Sequence, residues 1–248
     1  MKAFISIILA IIIFINSAAQ SLDSTVKYIW KNKSTNITAS VEIFGLKHSN
    51  KSFCIFYLNG ADTVYNNISD SLFKTFVNIS TLNCPIIKIN FYNVADSFAG
   101  KKNKLYAEEF SRFILYDVQK KYPQIKTNNL VVSGVDYFAA VALFAAINNP
   151  LKINKTALFI NKNDDTALFG DLSKADAIKL KGKVYLYINH QNKEEKFGDF
   201  LANDLALNSS IVMYKFDHFS NVESSKVFEE AYNWLMAAGN NYIIRNDN

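Results

Sequence analysis

The chain has 248 residues, half of them apolar, with 20 phenylalanines and 13 tyrosines. That length suits one α/β domain or two small ones, and that aromatic content excludes a disordered chain. The formal charge is +5, but the excess is almost all lysine, spread along the chain, and Arg112 and Arg245 are its only arginines; base and phosphate readout favours the guanidinium fork, so no nucleic-acid partner is expected.

Residues 1–19 read as a secretory signal peptide. Lys2 is the positive start, Phe4–Ile15 the apolar segment, and Ser17 and Ala19 are small residues suited to cleavage before Gln20. A membrane anchor is the competing reading, but the apolar stretch is short and no basic cluster follows it at once. The expectation is a secreted or periplasmic protein whose mature part, 20–248, is a single domain without a stable membrane span. The later run "AAVALFAAI" is too short to cross a bilayer and reads as a buried helix. Asn-, Lys- and Ile-rich usage suggests a bacterial source.

"STVKYIW" and "NITASVEIFG" flank the polar turn "KNKS" and predict a hairpin. "SFCIFYLNG" predicts a strand stopping at Asn59-Gly60. Residues 64–79 follow at helical spacing, and "CPIIKINFYN" is another strand. Over 104–121, Tyr106, Phe110, Phe113, Ile114 and Val118 share one face, Glu108, Glu109, Arg112 and Lys120 face water, and Pro123 limits the helix. "NLVVSG" is a short apolar strand, and 137–147 is a helix apolar on nearly all sides. "KTALFIN", "KVYLYIN" and "IVMYKF" add three strands, the last being the final strand expected, with helical stretches around 194–207 and 223–238. A hairpin followed by alternating strands and helices, with strands lacking polar alternation, implies a mostly parallel sheet covered on both faces. Cys54 and Cys84 precede or open two consecutive strands. They read equally as a disulfide of an exported protein or as two small buried thiols.

Four segments carry a family resemblance: "FCIFYLNG", "EEFSRFILYDVQKKYP", "VVSGVDYFAAVALFAAINNP" and "YKFDHFS". In order and spacing, over roughly 40–238, they resemble the α/β-hydrolases, and among them the esterase D-like and enterochelin esterase-like proteins. The resemblance implies an α/β-hydrolase three-layer sandwich: a mostly parallel sheet with an N-terminal antiparallel hairpin and no cap domain. The family elbow reads Gly-x-Ser-x-Gly-Gly; here it is Gly134-Val135-Asp136-Tyr137-Phe138-Ala139. The nucleophile position therefore falls on Asp136 and the base position on His218. The acid position falls on Asn192, with Glu194 out of register and Asp164 or Asp165 as alternative acids after the preceding strand. The oxyanion donors would be the backbone N–H of Tyr137 and one from the loop after Asn59-Gly60. Phe138 and Ala139 stand where glycines normally let the elbow helix approach the sheet, so the bulk of Phe138 is expected to loosen the turn.

Serine-type acyl transfer needs a hydroxyl activated by a base, and Asp136 has none. Ser133 lies in the strand and does not replace it. The preferred expectation is loss of catalysis: Asp136 serves as the N-cap of the elbow helix, and the protein is retained for binding. The alternatives are a hydrolase using Asp136 as nucleophile with His218 as base, and an envelope structural or interaction protein. A small ester-like ligand or an envelope protein is the expected partner. No organic cofactor is implied. His190 and His218 lack zinc spacing, and Asp164-Asp165 lack the spacing of a calcium loop. There is no GxxxxGK[ST] or GxGxxG loop. His48 reads as a solvated residue, and His190 as a minor contact near the cleft. The polar stretch 161–179 reads either as a cleft border or as a plain connection.

Overall fold

The computed structural model describes residues 26–31, 38–45, 55–60, 85–92, 114–123, 125, 130–135, 137–160, 179–180, 182–189, 210–217, 230–235, 237 and 244–247. Nine strands occur among them: β1 (Val26–Lys31), β2 (Thr38–Phe44), β3 (Ile55–Gly60), β4 (Ile86–Tyr92), β5 (Leu130–Val135), β6 (Ile153–Ile160), β7 (Gly182–Asn189), β8 (Ser210–Asp217) and β9 (Ile244–Asp247). They form one sheet in the order β1-β2-β4-β3-β5-β6-β7-β8-β9.

The first two strands form the expected antiparallel hairpin, with Tyr28 opposite Val41, and β2 runs antiparallel to β4. From β4 onward every neighbouring pair is parallel. Burial follows that change. In β1, Val26, Tyr28 and Trp30 pack against the core while Lys27, Ile29 and Lys31 are exposed, the period-two pattern of an edge strand with one wet face. In β4, Ile86, Ile87, Lys88 and Ile89 are all buried, as in a strand covered on both sides.

Helix α1 (Gln119–Lys121) continues a π-helical turn, Ile114–Val118. The described part of the predicted 104–121 helix is thus wider-wound than an ideal α-helix. Val118 is nevertheless buried and Lys120 exposed, as the amphipathic pattern requires. The turn is tied to the hairpin by the Trp30 Nε1–H, which donates to Asp117 Oδ2 at 3.3 Å, and by the Lys121 ammonium, 3.5 Å above the Tyr28 ring. Residue 121 ends the helix, two before Pro123.

Helix α2 (Tyr137–Asn148) is buried continuously from Phe138 to Ile147. It packs on the face carrying Val41, Ile43, Ile87, Ile89, Val132, Leu158, Val184 and Leu186. The opposite face carries Tyr185, whose ring lies 6.2 Å from that of Trp234, in a helical stretch over 230–235. Since Val184 and Tyr185 point to opposite sides of β7, helices cover both faces and the architecture is three-layered. The helical stretches predicted at 64–79 and 194–207 lie outside the described residues.

One expectation needs correction. β8 is not the final strand, because β9 adds parallel to it with Met213 aligned to Ile244. Its four residues, "IRND", carry neither alternation nor length, so it is defined by its pairing with β8 and not by its own pattern.

Candidate active site

The parallel strands all end at one edge of the sheet, and in open α/β sheets ligands bind beyond the carboxyl ends of the strands. β3 ends at Asn59-Gly60, aligned with Asn90 and Phe91 of β4. β5 ends at Val135, and α2 starts at Tyr137. β7 and β8 end side by side, Asn189 aligned with Asp217, so His190 and His218 each follow directly from neighbouring strand ends.

A single residue, 136, separates β5 from α2, which requires a sharp strand-to-helix reversal. Gly134 shows how close that reversal is. A Cβ built there would run into the carbonyl group of Phe138 and come within 2.8 Å of the Ala139 nitrogen. Only glycine lets the first turn of α2 fold back on β5 so closely. The expected loosening by Phe138 is not what the structure has. The Phe138 backbone makes the close approach, while its ring turns aside into the core, stacked on Phe91.

Three of the expected site residues lie in described elements. Asn59 and Gly60 are the last two residues of β3, and Tyr137 is the first of α2. As a first-turn residue, Tyr137 has a backbone N–H with no acceptor inside the helix, the property required of an oxyanion donor. Asp136, His218, Asn192, Glu194, Asp164 and Asp165 lie outside the described residues, as do His48, His190, Cys54 and Cys84. For the cysteines, β3 and β4 are direct neighbours, with Ile55 aligned to Ile86. Ser133 is in β5 and 6% exposed. It aligns with Tyr57, and through it with Lys88, on the sheet face away from α2, so it is a strand residue and not the elbow residue.

Two β4 residues went unremarked in the sequence. Lys88 is 4% exposed inside an isoleucine-rich strand, aligned with Glu42, whose carboxylate is 2.9 Å from the Lys27 ammonium. Lys27, Glu42, Lys88, Tyr57 and Ser133 thus form one lateral row across five strands. Asn90, aligned with Asn59, carries a buried Oδ1 acceptor that meets no hydrogen-bond donor among the described residues. Their only sequence signal was the polar pair within "IIKIN". Among the described residues, no group of three His, Cys, Asp or Glu side chains is placed to hold a metal ion, and no helix is long and apolar enough to cross a membrane.

No family model matches the sequence, and no curated protein matches it. Solved structures do match. The chain is similar to a fungal esterase from Rhizomucor miehei, with a TM-score of 0.63 and 10% identity over 89% of this chain and 88% of that one. It is similar to S-formylglutathione hydrolase from Staphylococcus aureus, with a TM-score of 0.57 and 11% identity over 86% of this chain and 96% of the other. It is also similar to dienelactone hydrolase from Anabaena variabilis, with a TM-score of 0.59 and 10% identity over 86% and 97%. The fold is that of the α/β-hydrolases, and its structural neighbours are esterases and other hydrolases of that fold.

Proposed function

We propose that this chain is an esterase-like hydrolase homologue, akin to the esterase D-like and enterochelin esterase-like proteins. In it the serine nucleophile has been replaced and the cleft at the carboxyl edge of the sheet is kept for binding. The observation that carries the reading is the elbow. β5, one linking residue and α2 make the close reversal that presents a nucleophile, Gly134 is required by it, and the linking residue is Asp136. A carboxylate there suits the free N–H groups at the start of a helix. It has no hydroxyl proton to pass to His218, so the serine acyl-enzyme route is closed. The ligand class is a small ester-like molecule that fits the former substrate cleft.

The test is hydrolysis of short activated esters by the wild type, Asp136→Ser and Asp136→Ala. Turnover by the serine variant alone is the expected result and means that oxyanion donors and His218 are still arranged for catalysis. Turnover by the wild type that is abolished in Asp136→Ala overturns the reading and makes the carboxylate a catalyst. Export is part of the proposal, on the strength of residues 1–19. Mature protein recovered from outside the cytoplasm should begin at Gln20, and an intact Met1 terminus there would count against cleavage.

A further inference from the structure

Phe138 is the largest departure from the glycine motif, and its position gives it a task. It is the second residue of α2, 7% exposed, with its ring 5.3 Å from that of Phe91 and the two planes only 8° apart. Phe91 is in β4, is 3% exposed and is aligned with Gly60, the last residue of β3. Because β3 lies between β4 and β5, this contact reaches across the carboxyl end of β3. It ties the first turn of the helix that follows β5 to the next strand but one. Parallel aromatic rings at this separation attract each other beyond the apolar area they bury.

We propose that Phe138 is a positioning residue. Its stack on Phe91 holds the first turn of α2, and with it the backbone N–H of Tyr137, over the end of β3. Close glycine packing does this in the esterase-like motif; here Gly134 keeps the backbone approach and the aromatic pair supplies the lateral anchor. The proposal rests on the reading of 134–137 as an elbow but not on what residue 136 does. A donor aimed at developing charge is effective only if it is held in place beforehand, so the anchor bears on chemistry as well as on packing.

The experiment has two arms. In an α-helix the N–H groups of Val141, Ala142 and Leu143 bond the carbonyls of residues 137–139, so their hydrogen exchange reports whether the first turn is closed. Amides of Leu158 and Leu186, in central strands, report global opening. Phe138→Ala and Phe91→Ala should each speed exchange at 141–143 by about tenfold relative to those strand amides. The double variant should do no more than the stronger single. Unchanged relative exchange in Phe91→Ala, or losses that multiply in the double variant, would overturn the proposal. Should alanine prevent folding, Phe138→Leu and Phe91→Leu are read in the same way.

The second arm uses the Asp136→Ser background. Adding Phe138→Gly, the motif's own residue, should lower kcat about tenfold with little change in KM, and Phe138→Leu should recover much of it. A glycine variant as fast as its parent or faster would refute the assignment. If Asp136→Ser is itself inert, the failure falls on the functional reading, and the exchange arm still decides the role of Phe138.

Discussion

At the scale of the residue, Gly134 and Asp136 have opposite kinds of legibility. Asp136 is conspicuous in the sequence because a carboxylate replaces a hydroxyl in an otherwise recognisable motif. Gly134 matches the motif, but only the close approach of the Phe138 carbonyl group explains why no other residue fits. Gly134→Ala should therefore cost about 2–3 kcal/mol, since neither β5 nor α2 can retreat without opening the packed core. The midpoint of urea unfolding measures this, and a loss below about 0.5 kcal/mol would mean that the elbow relaxes freely. Phe138 was legible as a departure from the motif but not as a solution. Its neighbour Phe91 is 47 residues away in a strand two places distant, a relation that no local pattern encodes.

At the scale of the element, the strongly periodic and strongly apolar segments were readable. α2 was expected over 137–147 and spans Tyr137–Asn148. The strands predicted in "KVYLYIN" and "IVMYKF" correspond to β7 and β8 with one or two added residues. β9 was not readable, because a four-residue strand has too few positions to show a period. The helical stretch over 230–235 falls within the one expected around 223–238, with Ala231 and Leu235 buried. Its anchoring was not expected. The Lys183 ammonium donates to the carbonyls of Trp234, at 3.4 Å, and Ala237, at 2.5 Å, and stands 5.3 Å from the Trp234 ring. A cation at these late carbonyls satisfies acceptors that the helix leaves open and opposes its dipole. Lys183→Met keeps the aliphatic stem and removes that charge. A loss of about 1 kcal/mol is expected, discounted because the contact to Ala237 is exposed. Proteolysis at the 230–237 end should rise in parallel; unchanged stability and unchanged cleavage would show that the clamp does nothing.

At the scale of the whole molecule, the buried Tyr185 and the half-buried Tyr28, far apart in the sheet, are expected to lower stability at high pH. Burial pushes the Tyr185 phenol up, reinforced by Glu230 and Tyr187. Burial likewise pushes Tyr28 up, reinforced by Tyr122 and Asp117. A folded-state pKa above the unfolded value means that the folded chain holds the proton longer. The stabilisation is then complete below the ordinary phenol pKa of about 10 and is lost as pH rises through the folded value. Lys155 works the other way. Burial and the neighbouring Lys183 lower its pKa, so it contributes a rise in stability as pH climbs from its folded value towards the ordinary lysine value. The tyrosine effect lies higher in pH and involves two groups. Urea midpoints should therefore fall above pH about 10, and Tyr185→Phe should flatten that fall. The slope against pH is the measure, because removing the buried phenol hydroxyl also shifts stability at every pH. An unaltered slope would rule out Tyr185 as a source.

The sequence by itself determined the order of β1 to β8 and the place of α2 directly after β5, the antiparallel hairpin leading into a mostly parallel sheet, and the unusual residue in the elbow. These are properties of local period, of chain order and of single positions, which short-range sterics and burial impose on any stretch of chain. Only the tertiary structure decided that β3 lies between β4 and β5, so that Phe138 meets Phe91 across the end of β3. It alone decided that Lys88 is buried in a polar row across five strands, and that a ninth strand extends the sheet. Those facts depend on which distant segments become neighbours, and that is chosen by burial and hydrogen-bond pairing summed over the whole sheet.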